Sequence, residues 1–397
     1  MVVSGSSVAA AQTDTVASAI AHVLSYKCVL ENVKDTDALA DALCASAATS
    51  PADWYIIGFK QYTGGDFTAY QKALQSNAAN VKSATDKQRV ALTMLALGMH
   101  SSFIDEARNS AGQLGVMSDI YGLMLFPQNE QTIMIQLLDL QKEDGGWNLS
   151  GAVSDTDVTA MAVQALAPYY QTEPRVKSAV DKALPLLSKR QKTTGDCTGF
   201  GGAVNAESTA QVLCALIAMG LDPLTDSRFI KNGKTLLDGL LLYQNKDGGF
   251  SHTAGAASGD LTSAQAFYAL VAFYRFENGQ NFIFDFRPAD RQTTAADLTS
   301  NTTLTRRTAP TTKTTSGNGR PAEQSTASQA QTTASQGMEQ TGEIKTTVTQ
   351  GQHESQTETA SQMTQTDFSF VYILLAVAAG LIIAGGIFVV VKKKKSV

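Results

Sequence analysis

The feature that most constrains this chain is a turn that occurs more than once. The segment QKEDGGW at residues 141–147 is followed downstream by QNKDGGF at residues 244–250, and a degenerate copy between them starts at Gln191 and ends in GFGG at residues 199–202. Gly-Gly allows a sharp reversal of the backbone. Each complete copy ends an amphipathic run and precedes a long apolar one, so the turn is predicted to join the two helices of a hairpin.

The helices that follow the turns keep a nearly constant register. The first Gln of each turn is separated from an Ala near the start of the next helix by 19, 19 and 20 residues, for the pairs Gln141 and Ala160, Gln191 and Ala210, and Gln244 and Ala264. All three helices then reach an Ala-Leu pair at the same place. The pattern therefore predicts three consecutive hairpins of one kind.

Two kinds of helix alternate along the chain. Residues 176–189 are amphipathic, whereas residues 160–167 and 212–219 are apolar on nearly every side. Apolar helices need an outer layer to cover them, and all-round apolarity favours closure into a ring over a linear solenoid. The predicted fold class over residues 15–290 is all-α, an α/α toroid, which is a closed double ring of helical hairpins.

The segments on either side of this domain have other compositions. Residues 1–14 are predicted to be a disordered N-terminus, in which VAAAQ resembles a signal-peptide cleavage site. Residues 291–367 are rich in Thr, Ser and Gln and lack Phe, Trp and Tyr, so a disordered stalk is expected. Residues 368–391 carry no charge and are predicted to be a transmembrane helix, and the Lys-rich residues 392–397 a cytoplasmic tail. This order predicts a single-pass plasma-membrane protein whose N-terminal domain lies outside.

Charge and cysteine content bear on two further questions, namely whether the chain binds nucleic acid and whether it forms disulfides. The net charge is −5 and the helical region has no basic cluster, so nucleic acid is not an expected partner. The four cysteines form no CxxC pair and suit small core positions. Pairing of Cys28 with Cys44, or of Cys197 with Cys214, stays open if the domain is extracytoplasmic.

At the QxxDGGW/F turns the sequence resembles the α/α-toroid superfamily. This superfamily includes squalene and terpene cyclases, protein prenyltransferase β subunits and the cobalamin carriers related to intrinsic factor. The resemblance is strongest over residues 128–275. It is closest to bacterial surface proteins with prenyltransferase and squalene oxidase repeats, in DVTAMAVQALAPYY at residues 157–170 and NAESTAQ at residues 205–211. It implies a fold and leaves the reaction open.

One acidic residue is the catalytic candidate that the resemblance implies. Class II cyclases protonate an alkene or epoxide with an Asp-x-Asp-Asp-Thr-Ala motif, and the string here, DTDVTA, begins at Asp155. Asp157 falls on the acid position, but Val158 replaces the next carboxylate. Helix capping is the alternative, because Asn205 and Gly259 stand where Asp155 stands in the other repeats. A polar group that faces a ligand is a third interpretation of Asp157.

Other chemistries of the superfamily find less support. Zinc prenyltransferases need Asp, Cys and His ligands, whereas Asp196 and Cys197 are adjacent within a turn and His252 also follows a turn, so no metal site is predicted. A glycosidase would need two separated carboxylates, for which Asp157 and Glu207 are candidates. No cofactor is predicted, although the resemblance to the carriers leaves a cobalamin-type ligand open.

The sequence thus favours a non-catalytic, membrane-anchored binding protein for an unknown small ligand or surface partner. A cyclase-like or carbohydrate-active enzyme that uses Asp157 as general acid is the alternative, and a structural adhesin is another. The inner helices are expected to present ligand-binding groups near one mouth of the ring, namely Asp157, Thr159, Glu207, Thr209 and Tyr268. A structural role in the repeated turns is expected for Gln141, Gly145, Gly146, Trp147, Gln244, Gly248, Gly249 and Phe250.

Overall fold

The computed structural model describes residues 5–126 and 130–286, and this part of the chain is mostly helical. The helices are α1 (Gly5–Leu30), α2 (Leu39–Ala42), α3 (Ala52–Thr63), α4 (Thr68–Ala78), α5 (Ala84–Ala96), α6 (Ser102–Asn109), α7 (Gly115–Met124), α8 (Gln131–Asp139), α9 (Thr156–Leu166), α10 (Pro174–Arg190), α11 (Ala206–Ala218), α12 (Leu236–Leu241) and α13 (Asp260–Glu277). A small antiparallel pair, β1 (Cys197–Thr198) with β2 (Val204–Asn205), precedes α11. The all-α prediction is confirmed.

Six helices pack in a closed cycle, which we call the inner ring. In this cycle α3 contacts α5, and α7, α9, α11 and α13 follow in turn until α13 contacts α3 again. The Tyr55 hydroxyl donates to Asp260 O near the start of α3 and α13, and Arg275 donates to Gln61 O near their ends. These two helices are therefore parallel. Outside the ring, α6, α8, α10, α12 and α1 pack on α5, α7, α9, α11 and α13, respectively.

Burial follows the two kinds of helix that the sequence contains. In α9 every residue except Asp157 is buried, as expected for a helix covered on all sides. In the outer helix α10 the buried apolar positions are Val176, Ala179, Val180, Ala183, Leu184 and Leu187. A side chain such as Val180 or Leu187, at 0% exposure, contributes about 1.5–3 kcal/mol of burial free energy. The alternation in sequence thus produces the two layers.

Each repeated turn, which we call a joint, is fixed by its glutamine. Gln141 Nε2 donates to Gly145 O within the turn, at 2.8 Å, and to Ala179 O of α10, at 2.9 Å. Gly145 has a φ of 93°, and a Cβ there would lie 3.1 Å from the Lys182 Cβ and 3.2 Å from its carbonyl oxygen. The joint therefore lies directly against the next outer helix, and only glycine fits this approach.

The same bonding recurs and joins the two ends of the described domain. Gln191 donates to its own turn and to Phe229 O before α12, and Gln244 donates to its own turn and to Ala19 O of α1. Helix α1 thus occupies the outer position that α10 occupies after the first joint. The Lys27 ammonium pairs with the Asp260 carboxylate at 2.9 Å, which adds a contact between α1 and α13.

The structure describes most of the N-terminal segment but not the C-terminal one, so the two predictions for the ends of the chain have different outcomes. Helix α1 begins at Gly5 and so includes most of residues 1–14, which the sequence analysis assigned to a disordered N-terminus. The run of alanine at residues 9–11 accounts for this, because alanine has the highest helix propensity. The predicted stalk, transmembrane helix and tail at 291–397 lie outside the described residues. Within the described ranges, no helix combines the length and the apolarity that crossing a membrane would need.

Substituting Gln191 with Ala tests the joint. Gln191 is 5% exposed, and its loss leaves two backbone carbonyls without their donor. At about 1 kcal/mol per hydrogen bond, we expect Gln191→Ala to lower the free energy of unfolding by about 2 kcal/mol in urea titrations. The matched control is Gln75→Ala on the exposed side of α4, which should change it by less than about 0.5 kcal/mol. Equal losses in the two variants would contradict this role.

Candidate functional site at the N-terminal mouth of the ring

The start of α9 is organised by Asp155. Its backbone is extended, and Oδ1 accepts the N–H groups of Asp157, at 2.8 Å, and of Val158, at 3.1 Å. In the next repeat Asn205 caps α11 by accepting the N–H of Ser208 at 2.7 Å. Side-chain acceptors satisfy amide groups that have no partner in the first turn of a helix, so Asp155 is an N-cap.

Asp157 is the second residue of α9, and its carboxyl Oδ1 is buried and has no hydrogen-bond partner among the described residues. Burial raises the pKa of Asp157 to about 8, and the charges of Asp155 and Glu207 raise it further, whereas Ser208 and His252 lower it. The desolvation of a carboxylate is the main cause. Asp157 therefore keeps its proton at neutral pH.

Glu207, one joint further on, is held by two partners from the region around α13. Its carboxylate lies 2.8 Å from His252 Nδ1 and accepts the hydroxyl of Thr262. The hydrogen bond to Glu207 raises the pKa of His252. The His252 side chain is 42% exposed, so this end of the site is open to solvent. A protonated acid and a paired carboxylate thus lie on neighbouring inner helices.

The region between these groups contains further polar atoms without partners. Asp155 Oδ2 and Ser208 Oγ are buried without a hydrogen-bond partner among the described residues. Each such atom costs about 1–3 kcal/mol when left unsatisfied. Arg190 lies beside them and donates to Thr156 Oγ1 at 3.1 Å. We call this region, comprising Asp155, Asp157, Glu207, Ser208 and His252, the N-terminal mouth.

Two residues predicted to bind a ligand lie elsewhere. The Thr159 hydroxyl accepts the N–H of Trp147 at 2.9 Å, and the Thr209 hydroxyl accepts the N–H of Cys197 at 2.9 Å. Both threonines are at 0% exposure, and Ser263 has the same role in the last repeat. Their hydroxyls therefore bind the joints and do not face the N-terminal mouth.

A row of amides, the glutamine ladder, crosses three inner helices below the mouth. Gln164 Nε2 lies 3.0 Å from Gln211 Oε1, and Gln211 Nε2 lies 3.0 Å from Gln265 Oε1. Gln211 Nε2 also donates to the hydroxyl of Tyr268, the fifth of the predicted ligand-binding residues. All three glutamines are at most 7% exposed. The ladder closes the space between α9, α11 and α13.

Aromatic side chains fill the rest of the ring centre. Trp54 lies 5.9 Å from Tyr121 and 5.9 Å from Tyr268, measured between ring centroids, and 6.2 Å from Phe284. These four residues form the aromatic cluster, and all are at most 8% exposed. Because α3, α7 and α13 contribute side chains that meet here, the centre of the ring is packed. The repeat pattern did not indicate the cluster, because Trp54 and Tyr121 precede the repeated turns.

The cysteines and the aromatic residues of the joints lie in positions that indicate a structural role. All four cysteines are free, and Cys197 and Cys214 are fully buried, where burial raises their thiol pKa values. The Trp147 indole N–H donates to Leu137 O of α8. Among the described residues, no group of three His, Cys, Asp or Glu side chains is arranged to bind a metal ion.

Comparison with known proteins gives one distant homologue among terpene synthases. A drimenyl diphosphate synthase from Streptantibioticus cattleyicolor is 31% identical over 143 residues, which is 35% of this chain and 26% of the synthase. The chain thus spans about a quarter of that relative's length. No family model matches this chain. The similarity and the helical structure together fit a terpenoid-cyclase-like α/α superfamily.

The protonation of Asp157 can be tested through stability. Because its folded pKa, about 8, lies above the ordinary value of 3.8, the native state binds a proton that the unfolded state releases, and wild type loses stability as pH rises from about 5 to 8. The Asp157→Asn variant lacks this proton. The free energy of unfolding that Asp157→Asn loses between pH 5 and 8 should be smaller than the wild-type loss by at least about 1.4 kcal/mol, the equivalent of one pKa unit.

The measurement is urea unfolding at pH 5, 6.5 and 8. His252 titrates in both proteins, so its contribution largely cancels in the difference. Asp37→Asn, at an exposed loop position, serves as the control and should follow wild type at every pH. Parallel curves for wild type and Asp157→Asn would show that Asp157 is ionised in the folded protein.

Proposed function

We propose that this chain is an α/α toroid of the terpenoid-cyclase-like superfamily that binds a ligand or surface partner at its N-terminal mouth. We further propose that it does not cyclise a polyprenyl chain inside the ring. The observation that carries the second statement is the packed centre. Small-molecule pockets occupy about 300–1,000 Å³, whereas Trp54, Tyr121, Tyr268 and the glutamine ladder occupy the space inward of Asp157.

The chemistry of the mouth indicates what would bind. Neutral Asp157 can donate a hydrogen bond, Asp155 Oδ2 is an acceptor without a partner, and the Ser208 hydroxyl, which is near enough to Asp157 to lower its pKa, can donate or accept. Three such atoms within one turn of two neighbouring helices suit a polar group rich in hydroxyls or amides. His252 lies at the solvent side, where it can contact the same group. A carbohydrate or a polar segment of a surface partner has this character.

An acid–base enzyme is the second candidate, and one observation favours it. Asp157 retains a proton near neutral pH while Glu207 is hydrogen-bonded to His252, and two carboxyl groups in such different surroundings are typical of acid–base catalysis. An acid with a pKa of about 8 is weak, however, and an alkene is a very poor base. The pair therefore suits proton transfer to an oxygen atom, as in glycoside hydrolysis, better than cyclase chemistry.

The proposed location is the cell surface. The uncharged segment 368–391 and the lysines that follow it support a single-pass anchor with the helical domain outside. A structural adhesin would share this location and would leave the mouth without a small ligand. A cobalamin-type ligand would give the purified protein a visible colour.

Turnover assays test the proposal directly. We expect no cyclised product when the full chain is incubated with farnesyl diphosphate or squalene and the extract is examined by mass spectrometry. The packed centre leaves no room for either chain. A cyclised product that disappears in Asp157→Asn would contradict the proposal.

Binding to chitotriose, an oligosaccharide rich in hydroxyl and amide groups, tests the mouth. Saturation-transfer NMR should detect binding in wild type and in Asp37→Asn, and about tenfold weaker binding in Ser208→Ala, which removes the hydroxyl. Binding without cleavage supports the first candidate. Cleavage that is lost in Asp157→Asn supports the second, and equal binding by wild type and Ser208→Ala would contradict both placements.

A further inference from the structure

A second concave site lies at the opposite end of the inner ring. A cavity of about 270 Å³ opens where α7, α9 and α11 end. The segment that follows α13 also lines it, and Gln61 anchors this segment by donating from Nε2 to Ile283 O at 2.6 Å. The apolar part of the wall comprises Leu123, Met124, Ala165, Ala218, Phe282 and Phe284.

This cavity is separate from the N-terminal mouth. Gln164 lines it, and seven residues of α9 separate Gln164 from Asp157, which corresponds to about 10 Å along the helix. The glutamine ladder begins at Gln164, and the aromatic cluster lies beside the ladder. A ligand in the cavity therefore does not reach Asp157, and the inference made here is independent of the proposed function.

Gln164 brings a hydrogen-bond acceptor to this cavity. Its Nε2 donates to the main-chain oxygen of Gln211 at 3.1 Å and to Gln211 Oε1 at 3.0 Å. A main-chain oxygen can only accept, so the nitrogen of the Gln164 amide must face α11. None of the described residues donates to Gln164 Oε1. Gln164 is 4% exposed and lines the cavity, so this oxygen is the side-chain atom that it offers to a ligand.

The end of α9 adds a second acceptor from the same residue. Pro168 lines the cavity and has no N–H group, so it cannot donate to the backbone oxygen of Gln164 four residues earlier. The N–H of Ala167 donates to Val163 O. Carbonyl groups in the last turn of a helix point toward its C-terminal end, where this cavity lies. The polar part of the wall at Gln164 therefore suits a ligand that donates a hydrogen bond.

The remainder of the wall favours a neutral aromatic body. Phe282 and Phe284 meet edge to face with centroids 5.6 Å apart, and Phe284 packs in turn against Trp54. Aromatic side chains of this kind pack well against a further ring. Asp285 also lines the cavity, but it already interacts within the protein and is attracted by Arg275. Its carboxylate therefore opposes an anion and is not a free partner for a cation.

We propose that this cavity binds a small neutral phenol, with its ring against Phe282 and Phe284 and its hydroxyl group donating to Gln164 Oε1. The apolar wall provides most of the affinity, and Gln164 selects a ligand that can donate. A cavity of about 270 Å³ is at the small end of ligand pockets, which suits one substituted ring of about ten non-hydrogen atoms.

Two ligands of one shape and a variant of Gln164 test the selection of a donor. The full chain is titrated calorimetrically at pH 7 with 4-propylphenol and with 4-propyltoluene, in which a methyl group replaces the hydroxyl group. Gln164→Met keeps the length of the side chain and removes its acceptor. Since one net hydrogen bond is worth about fivefold in affinity, Gln164→Met should bind the phenol about fivefold more weakly and the toluene at least as tightly as wild type does.

The paired ligands separate this role from a structural one. Gln164 belongs to the glutamine ladder, so a general loosening of the ring would weaken both ligands alike. Gln75→Met, on the exposed side of α4, is the matched control and should bind both as wild type does. Equal effects of Gln164→Met on the two ligands, or no binding of the phenol by wild type, would overturn the proposal.

A substitution in the apolar wall locates the site. Ala218 lies at the end of α11, and Ala218→Leu fills part of the cavity. This variant should weaken the phenol and the toluene alike by about tenfold or more. Wild-type binding by Ala218→Leu would overturn the proposal.

A spectroscopic measurement covers the case in which Gln164→Met or Ala218→Leu does not fold. In Trp147→Phe the single remaining tryptophan, Trp54, lies 6.2 Å from Phe284. With excitation at a wavelength that the phenol does not absorb, binding should shift or quench the Trp54 emission with the same midpoint as the calorimetric titration. Binding that leaves this emission unchanged would place the ligand elsewhere and overturn the proposal.

Discussion

The structure depends on the hydrogen bonds of one amide side chain at each joint. Gln141, Gln191 and Gln244 each donate both to their own turn and to the next outer helix, so a single residue fixes the reversal and its neighbour together. Because Gln244 donates to Ala19 O, the first helix is bound to the last joint. The bond from the last joint to α1 thus helps to close the ring of hairpins.

The close approach at the joints explains why the turn sequence repeats. Gly145, Gly195 and Gly248 all have positive φ, and a Cβ on any of them would meet the adjoining outer helix or the backbone just before it. The hydroxyls of Thr159 and Thr209 then accept an N–H from the joint, which ties each turn to the helix that follows it. The repeat is thus a packing device, and its chemistry is confined to the side chains at the ring ends.

The sequence predicted the parts of the fold that have a period. The register of the joints predicted the hairpins, and the amphipathic pattern of residues 176–189 predicted the buried face of α10. The packed centre could not be predicted, because Gln164, Gln211 and Gln265 look like ordinary polar positions until three parallel helices bring their amides together. The raised pKa of Asp157 also depends on three-dimensional burial, and His252 approaches Glu207 only through folding.

The two ends of the ring differ in chemistry because the starts and the ends of helices carry opposite partial charges. The starts of α9 and α11 need acceptors for their free N–H groups, which places Asp155 and Asn205 there and brings Asp157 and Glu207 into the same region. The ends of α7, α9 and α11 carry the opposite partial charge and surround a cavity lined by apolar and polar side chains. The filled centre keeps the two ends apart.

The packing of the centre can be measured directly through Trp54. The variant Trp147→Phe has phenylalanine at the first joint, as the last joint has in Phe250. Trp54 is then the single tryptophan, and it is 3% exposed. A filled ring predicts blue-shifted emission and quenching by acrylamide that is far slower than for free tryptophan. Red-shifted emission with rapid quenching would mean that water enters the ring, and it would contradict the account.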